Sequence, residues 1–199
     1  YFVTGAFVAG SAAVIITMFV YRNRYRLQGY FTEFHFDQMG KLLVLVSLVY
    51  LYFNINEFFV PGYKMKHTEG EHLTGLFTGK YAPMFWSVQI LGLVLPIILL
   101  LFKKMRRPKP ILVISIFVLL GAWFKRYLIV VPTMQHPFLP IQNVPDYFHT
   151  YVPTGVEIAI TLGAFAASLL IMTALTKLFP VITVWEHAHD NGVKKEDIK

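Results

Sequence analysis

The chain has 199 residues, of which 56% are hydrophobic and only 15% charged, and it carries a formal net charge of +7. Its mean hydropathy is +0.55, and apolar runs of about 18 to 22 residues recur along it, each long enough to cross a hydrocarbon core roughly 30 Å thick. The basic excess therefore does not signal nucleic acid, because lysine and arginine gather between the apolar runs, where they set orientation; and with no cysteine the chain supplies no disulfide and no thiolate for an iron-sulfur cluster or covalently attached haem.

The first span is expected over about 2–21. Its early part is dense in small residues, and Ala6 with Gly10, like Ala9 with Ala13, falls on one face at the spacing that lets two backbones approach closely. Arg22, Arg24 and Arg26 close it. The sequence opens on Tyr1 inside an apolar run without a charged leader, and so reads as a piece of a longer polypeptide.

The linker from Leu27 to Gly40 mixes aromatics with Glu33, His35 and Asp37, a composition suited to the headgroup boundary. The second span is expected over about 41–60, with Pro61-Gly62 as its stop. Asn54 and Glu57 lie near its far end, three apart and so on one face. The polar segment from Tyr63 to Ala82 reads as an extramembrane loop. The third span, about 83–102, starts at Pro83 and contains Gln89 and a kink expected at Pro96. A basic clasp, Lys103 to Lys109, follows it.

The fourth span, about 110–131, holds the adjacent cations Lys125 and Arg126. On insertion scales each charge costs roughly 2.5 to 3.5 kcal/mol at mid-membrane, so they require partners or water. A proline-rich loop with His136 and His149 leads to the fifth span, about 154–178, which has Glu157 in its first turn, and a polar, lysine-bearing tail ends the chain.

Of the lysines and arginines, thirteen fall on one set of connecting segments, three on the other and two inside the fourth span. The positive-inside rule places the richer set, and the C-terminus, in the cytoplasm after five crossings. At about 1.5 Å per residue, Glu57 and Arg126 both lie about 24 Å from the cytoplasmic boundary, while Gln89 and Glu157 lie roughly 9 and 5 Å below the outer one. Asn54, Glu57, Gln89, Lys125, Arg126 and Glu157 are thus expected to share a polar layer in the outer third of the membrane.

Two carboxylates and two cations balance formally in that layer. Adjacent helical residues diverge by about 100°, and the expectation is that Arg126 faces inward while Lys125 is the more peripheral. Such a layer serves either as an ion-paired girdle that fixes helix register or as a site for protons or a quinone headgroup. For the second role Glu57 is the strongest candidate, with Asn54 to hold it or a ligand, and Trp86 and Trp123 are candidates to flank a quinone ring. All seven histidines are expected in loops or the tail, which offers no mid-membrane axial ligands for a b-type haem. His187-Ala-His189-Asp190 reads as a solvated segment rather than a metal site.

In order and spacing the chain resembles the second half of NrfD/PsrC-type membrane subunits, most closely those that interact with quinol in bacterial alternative complex III. The stretches that carry the resemblance are Glu33-Phe-His-Phe-Asp37 with Gly40-Lys-Leu-Leu43, Asn54 to Glu57, Gly79-Lys-Tyr-Ala-Pro-Met-Phe-Trp86, Trp123-Phe-Lys-Arg126 with Val130-Val-Pro-Thr133, His136-Pro-Phe-Leu-Pro140, Tyr151-Val-Pro-Thr154 with Glu157 and Thr161, and Leu178-Phe-Pro180 with Trp185-Glu186.

The resemblance implies an all-α integral membrane protein: an up-down four-helix bundle over 1–153, equivalent to the family's second bundle, and a flanking helix with a tail over 154–199. It implies a subunit of a respiratory quinol oxidoreductase in the bacterial inner membrane, delivering electrons from quinol or menaquinol toward cytochrome c or an oxidase. The chain itself is expected to bind no cofactor. Iron-sulfur clusters and haem c belong to an iron-sulfur subunit and cytochrome c subunits, beside a second NrfD-like subunit, membrane lipid and a cytochrome oxidase as a further neighbour. The family's quinol site is associated chiefly with the first bundle, outside this sequence, which shifts the polar layer toward a proton route or a structural pairing. A secondary transporter and a purely structural membrane anchor are the rival readings; a transporter would place its substrate near the midplane between broken helices.

Overall fold

A computed structural model describes residues 1–25, 27–64, 67–135 and 151–179. Among them there is no strand, and five helical stretches are long and apolar enough to span a bilayer. The elements are α1 (Phe2–Arg24), α2 (Glu33–Lys64), α3 (His67–Phe77), α4 (Ala82–Gln89), α5 (Leu95–Leu101), α6 (Pro108–Gln135) and α7 (Gly155–Leu178). The chain forms two compact units, Tyr1–His149 and Thr150–Lys199.

In the first unit α1 lies against both α2 and α6, α4 packs against α6, and α5 packs against α2. The periodicity behind this is plain in α2. Phe36, Gly40, Leu43, Ser47 and Asn54 are buried, and with half-buried Tyr50 and Glu57 they form a stripe at alternating steps of four and three, the spacing that keeps one face on a neighbouring helix. α6 does the same through Ile111, Ile114, Val118, Gly121, Lys125 and Leu128. The apolar core gathers Val8, Ala12, Ile15, Phe36, Leu43, Leu100, Ile111, Ile114 and Val118. α1 thus turns Val8, Ala12 and Ile15 inward. Of the two expected small-residue pairs, Ala6 and Gly10 are exposed, and a methyl group on Gly10 would meet nothing within 4 Å, while Ala9 and Ala13 are half-buried. The rotation of α1 is set by the larger side chains that fill the space against α2 and α6.

The helices depart from the sequence expectations at their ends and at one point inside. α2 begins at Glu33, eight residues before Lys41, and passes through Pro61 to Lys64. Its early turns are held at the surface by Asp37, which pairs with Lys41 at 2.7 Å and with Arg106 at 3.1 Å. The expected loop between the second and third spans contains α3, because Leu73 and Leu76 are buried and Phe77 packs edge to face on Phe58 and Phe85. His35, His67 and His72 accordingly lie on helices rather than in loops; the other four histidines, with most of the proline-rich loop and the tail, lie outside the described residues.

The third span is continuous from Ala82 to Leu101 but changes to π-helix over Ile90–Val94, just ahead of the kink expected at Pro96. A proline ring collides with the carbonyl four residues earlier, here Gly92, and the wider π turn relieves that conflict. At the same level Gly92 and Gly121 bring α6 and the π turn into backbone contact: a Cβ added to Gly121 would lie 2.5 Å from the Gly92 Cα.

In the second unit α7 starts with a capping box in which the Thr154 side chain accepts from the Glu157 amide and the Glu157 carboxylate accepts from the Thr154 amide.

Candidate functional site

Four of the six expected polar residues meet. On α2, Tyr50, Asn54 and Glu57 sit at i, i+4 and i+7, so the helix aims all three in one direction. Asn54 is buried, and its Nδ2 donates to Gln89 Oε1 of α4 at 2.7 Å while its Oδ1 accepts from Lys125 Nζ of α6 at 3.0 Å. The ammonium has only donors, which fixes the amide with its oxygen toward Lys125. Longer approaches to the same oxygen come from Gln89 Nε2 at 3.4 Å and the Tyr1 hydroxyl at 3.5 Å.

Lys125 is 6% exposed. Besides Asn54 it has the face of Phe58 at 4.3 Å, that of Phe85 at 5.7 Å and Glu57 Oε2 at 3.8 Å. One short bond to a charged donor contributes about 1.5 to 3 kcal/mol and a desolvated cation on a ring about 2 kcal/mol. Together these match a mid-membrane insertion cost of about 3 kcal/mol without a direct bond to the carboxylate. Glu57 Oε2, itself buried, accepts no hydrogen bond. A carboxylate and an ammonium therefore stand within one small displacement, or one water, of proton transfer.

Two cavities flank the pair. One, of about 50 Å³, is lined by Tyr1, Tyr50, Gln89, Gly92, Lys125 and Arg126 among others. The other, of about 60 Å³, is lined by Glu57, His72, Phe85, Lys125, Leu128 and Thr133 among others. Tyr1 and Tyr50 stack at 5.2 Å with their hydroxyls 3.1 Å apart.

The inward cation is Lys125, and Arg126 is exposed, the reverse of the sequence expectation. One step along a helix turns the side chain by about 100°, and the buried stripe through Gly121 and Leu128 passes through position 125. Arg126 keeps a place on the wall of the Tyr1–Tyr50 cavity. Glu157 belongs to the second unit, where its Oε2 accepts from the Thr154 amide at 2.7 Å and the Tyr151 hydroxyl at 3.2 Å. Trp86 and Trp123 are both about half exposed, at 48% and 47%, and Trp86 Nε1 donates to the Phe77 carbonyl. Sequence reasoning missed Tyr1, Tyr50, Phe58 and His72. Tyr50 was within reach, four residues before Asn54 on the same stripe, whereas His72 required α3.

No curated protein matches the chain. A family profile described as Polysulphide reductase, NrfD, matches residues 1–137, which takes in the first four spans and the whole Lys125 cluster and stops short of α7. Proteins of that family are membrane subunits of quinol-interacting oxidoreductases and generally partner with iron-sulfur and cytochrome subunits. With more than half its length inside that match and five apolar spans, this chain is a multi-pass membrane protein of the NrfD family.

Proposed function

We propose that the chain is a membrane subunit of a respiratory quinol oxidoreductase of the alternative complex III kind, and that its polar cluster moves protons rather than holding a quinone ring. The complex passes electrons from quinol or menaquinol through an iron-sulfur subunit to haem c subunits, with a second NrfD-like subunit beside this one in a bacterial inner membrane. The charge bias of the connecting segments favours a cytoplasmic C-terminus, with α3 on the outer side.

The observation that carries the proton reading is the Lys125–Glu57 pair, 3.8 Å apart, between cavities of about 50 and 60 Å³. A cavity of about 150 Å³ accepts benzene, whereas a water needs only about 10 to 15 Å³, so these spaces suit water files and not a quinone headgroup. The rival transporter reading requires unwound backbone at the midplane, but the irregular part of the third span remains helical, as a π turn.

The test uses the intact complex in proteoliposomes, with Lys125→Met and Glu57→Gln. Both variants are expected to lose most of their quinol-driven proton release while uncoupled quinol oxidation persists. Unchanged proton release in both would leave the cluster a structural pairing and the chain a membrane anchor.

A further inference from the structure

Among the described residues the two cavities share Lys125 and Ile129, and the Tyr1 hydroxyl of the first also reaches Glu57 of the second; of these three, Lys125 is the charged proton donor. On the side lined by Tyr1 and Tyr50 the polar groups are hydroxyls, the Gln89 amide and Arg126. On the other side α2 contributes Glu57, α6 contributes Lys125 and Thr133, α3 contributes His72, and α4 contributes only the ring of Phe85. Thr133 is exposed, so this second chamber borders the outside of the bundle. α3 closes it: Phe77 packs on Phe58 and Phe85, and Leu76 is buried with Phe85 and Leu128. Among the described residues of the chamber the His72 imidazole is the one group whose unperturbed pKa, about 6.5, lets it gain and lose a proton readily near neutrality.

We propose that Lys125 is the gate between the two chambers and that His72 of α3 is the group through which protons leave the Glu57 chamber for the surface. This rests on the proton reading above and assigns its exit. The Lys125 ammonium gives a proton to the Glu57 carboxylate, leaving a neutral amine and a carboxylic acid. The acid passes that proton to the neutral imidazole of His72, directly or through one water, and the imidazolium releases it to bulk water. The amine takes a new proton from hydronium in the Tyr1–Tyr50 chamber, and each group returns to its starting state.

The experiment measures quinol-driven proton release by the intact complex in proteoliposomes carrying His72→Ala or His72→Gln, with and without added imidazole. Both variants are expected to slow release by about a hundredfold, the lower end of the range for loss of a positioned proton-transfer group. Imidazole restores His72→Ala, while 1,3-dimethylimidazolium, which has the shape but no transferable proton, does not. His72→Gln keeps polarity and approximate size, so slow release in that variant identifies the lost proton carrier even where His72→Ala fails to assemble. Normal release in His72→Gln, or an assembled His72→Ala complex that imidazole leaves slow, overturns the proposal. If Lys125→Met is slow and His72→Gln normal, only this exit is wrong; if Lys125→Met is normal the gate is wrong, and if Glu57→Gln is normal as well the proton reading itself has failed.

Discussion

Asn54 is the side chain on which the cluster depends, because its oxygen holds the Lys125 ammonium and its nitrogen holds Gln89. Asn54→Leu has similar volume but strips both partners at once. Hydrogen bonds to charged groups contribute about 1.5 to 3 kcal/mol, and an orphaned buried polar group costs about 1 to 3 kcal/mol more. The expected result is a loss of about 3 kcal/mol, seen as a lowered unfolding temperature in detergent, with Asn54→Asp, which keeps an acceptor, falling less. Membership of this cluster was legible from depth alone for Asn54, Glu57, Gln89 and Lys125, since each helix advances by a fixed rise. Which of two adjacent cations faced inward required the phase of α6. That phase is written in the spacing of Ile114, Val118, Gly121 and Leu128, apolar or small residues at steps of four and three, and position 125 continues it.

At the scale of helices, the tightest point is the crossing of the π turn with α6 at Gly92 and Gly121. A methyl group on Gly121 would press on Gly92 backbone, which has no rotamer to yield, so Gly121→Ala is expected to destabilise by about 1 to 3 kcal/mol through overpacking. Gly10→Ala, which meets nothing within 4 Å, is the matched control, and unfolding followed by circular dichroism in detergent reads both. The spans themselves were legible because a bilayer-length apolar run has few alternatives. Their ends were not: Pro61 continues α2 where a stop was expected, and α3 forms from a stretch whose apolar residues, Leu73, Leu76 and Phe77, are too few to signal a helix until Phe58 and Phe85 supply the surface that buries them. Likewise the π turn answers a local clash at Pro96, and no periodicity in the third span announces it.

For the molecule as a whole, the charge asymmetry of the connecting segments makes a prediction about sidedness that the lack of cysteine makes simple to test. Lys80→Cys and Lys103→Cys each place the one thiol of these 199 residues at an exposed position at opposite ends of the third span. An impermeant maleimide is expected to label the first in intact cells and the second only after permeabilisation; the opposite pattern inverts the topology and reverses the direction assigned to proton exit. The family and the four-span bundle were legible because both follow from the order of apolar runs and short motifs, whereas the two chambers arise from side chains on five helices that no single stretch of sequence juxtaposes.

The bond from the Trp86 indole to the Phe77 carbonyl ties the third span to the short helix that roofs the Glu57 chamber. The chain has three tryptophans, so replacing Trp123 and Trp185 with phenylalanine leaves one emitter fastened at that seam. Its fluorescence maximum and quenching by iodide then become an intrinsic optical readout, in the purified chain, of whether the roof is seated or lifted, with no attached dye.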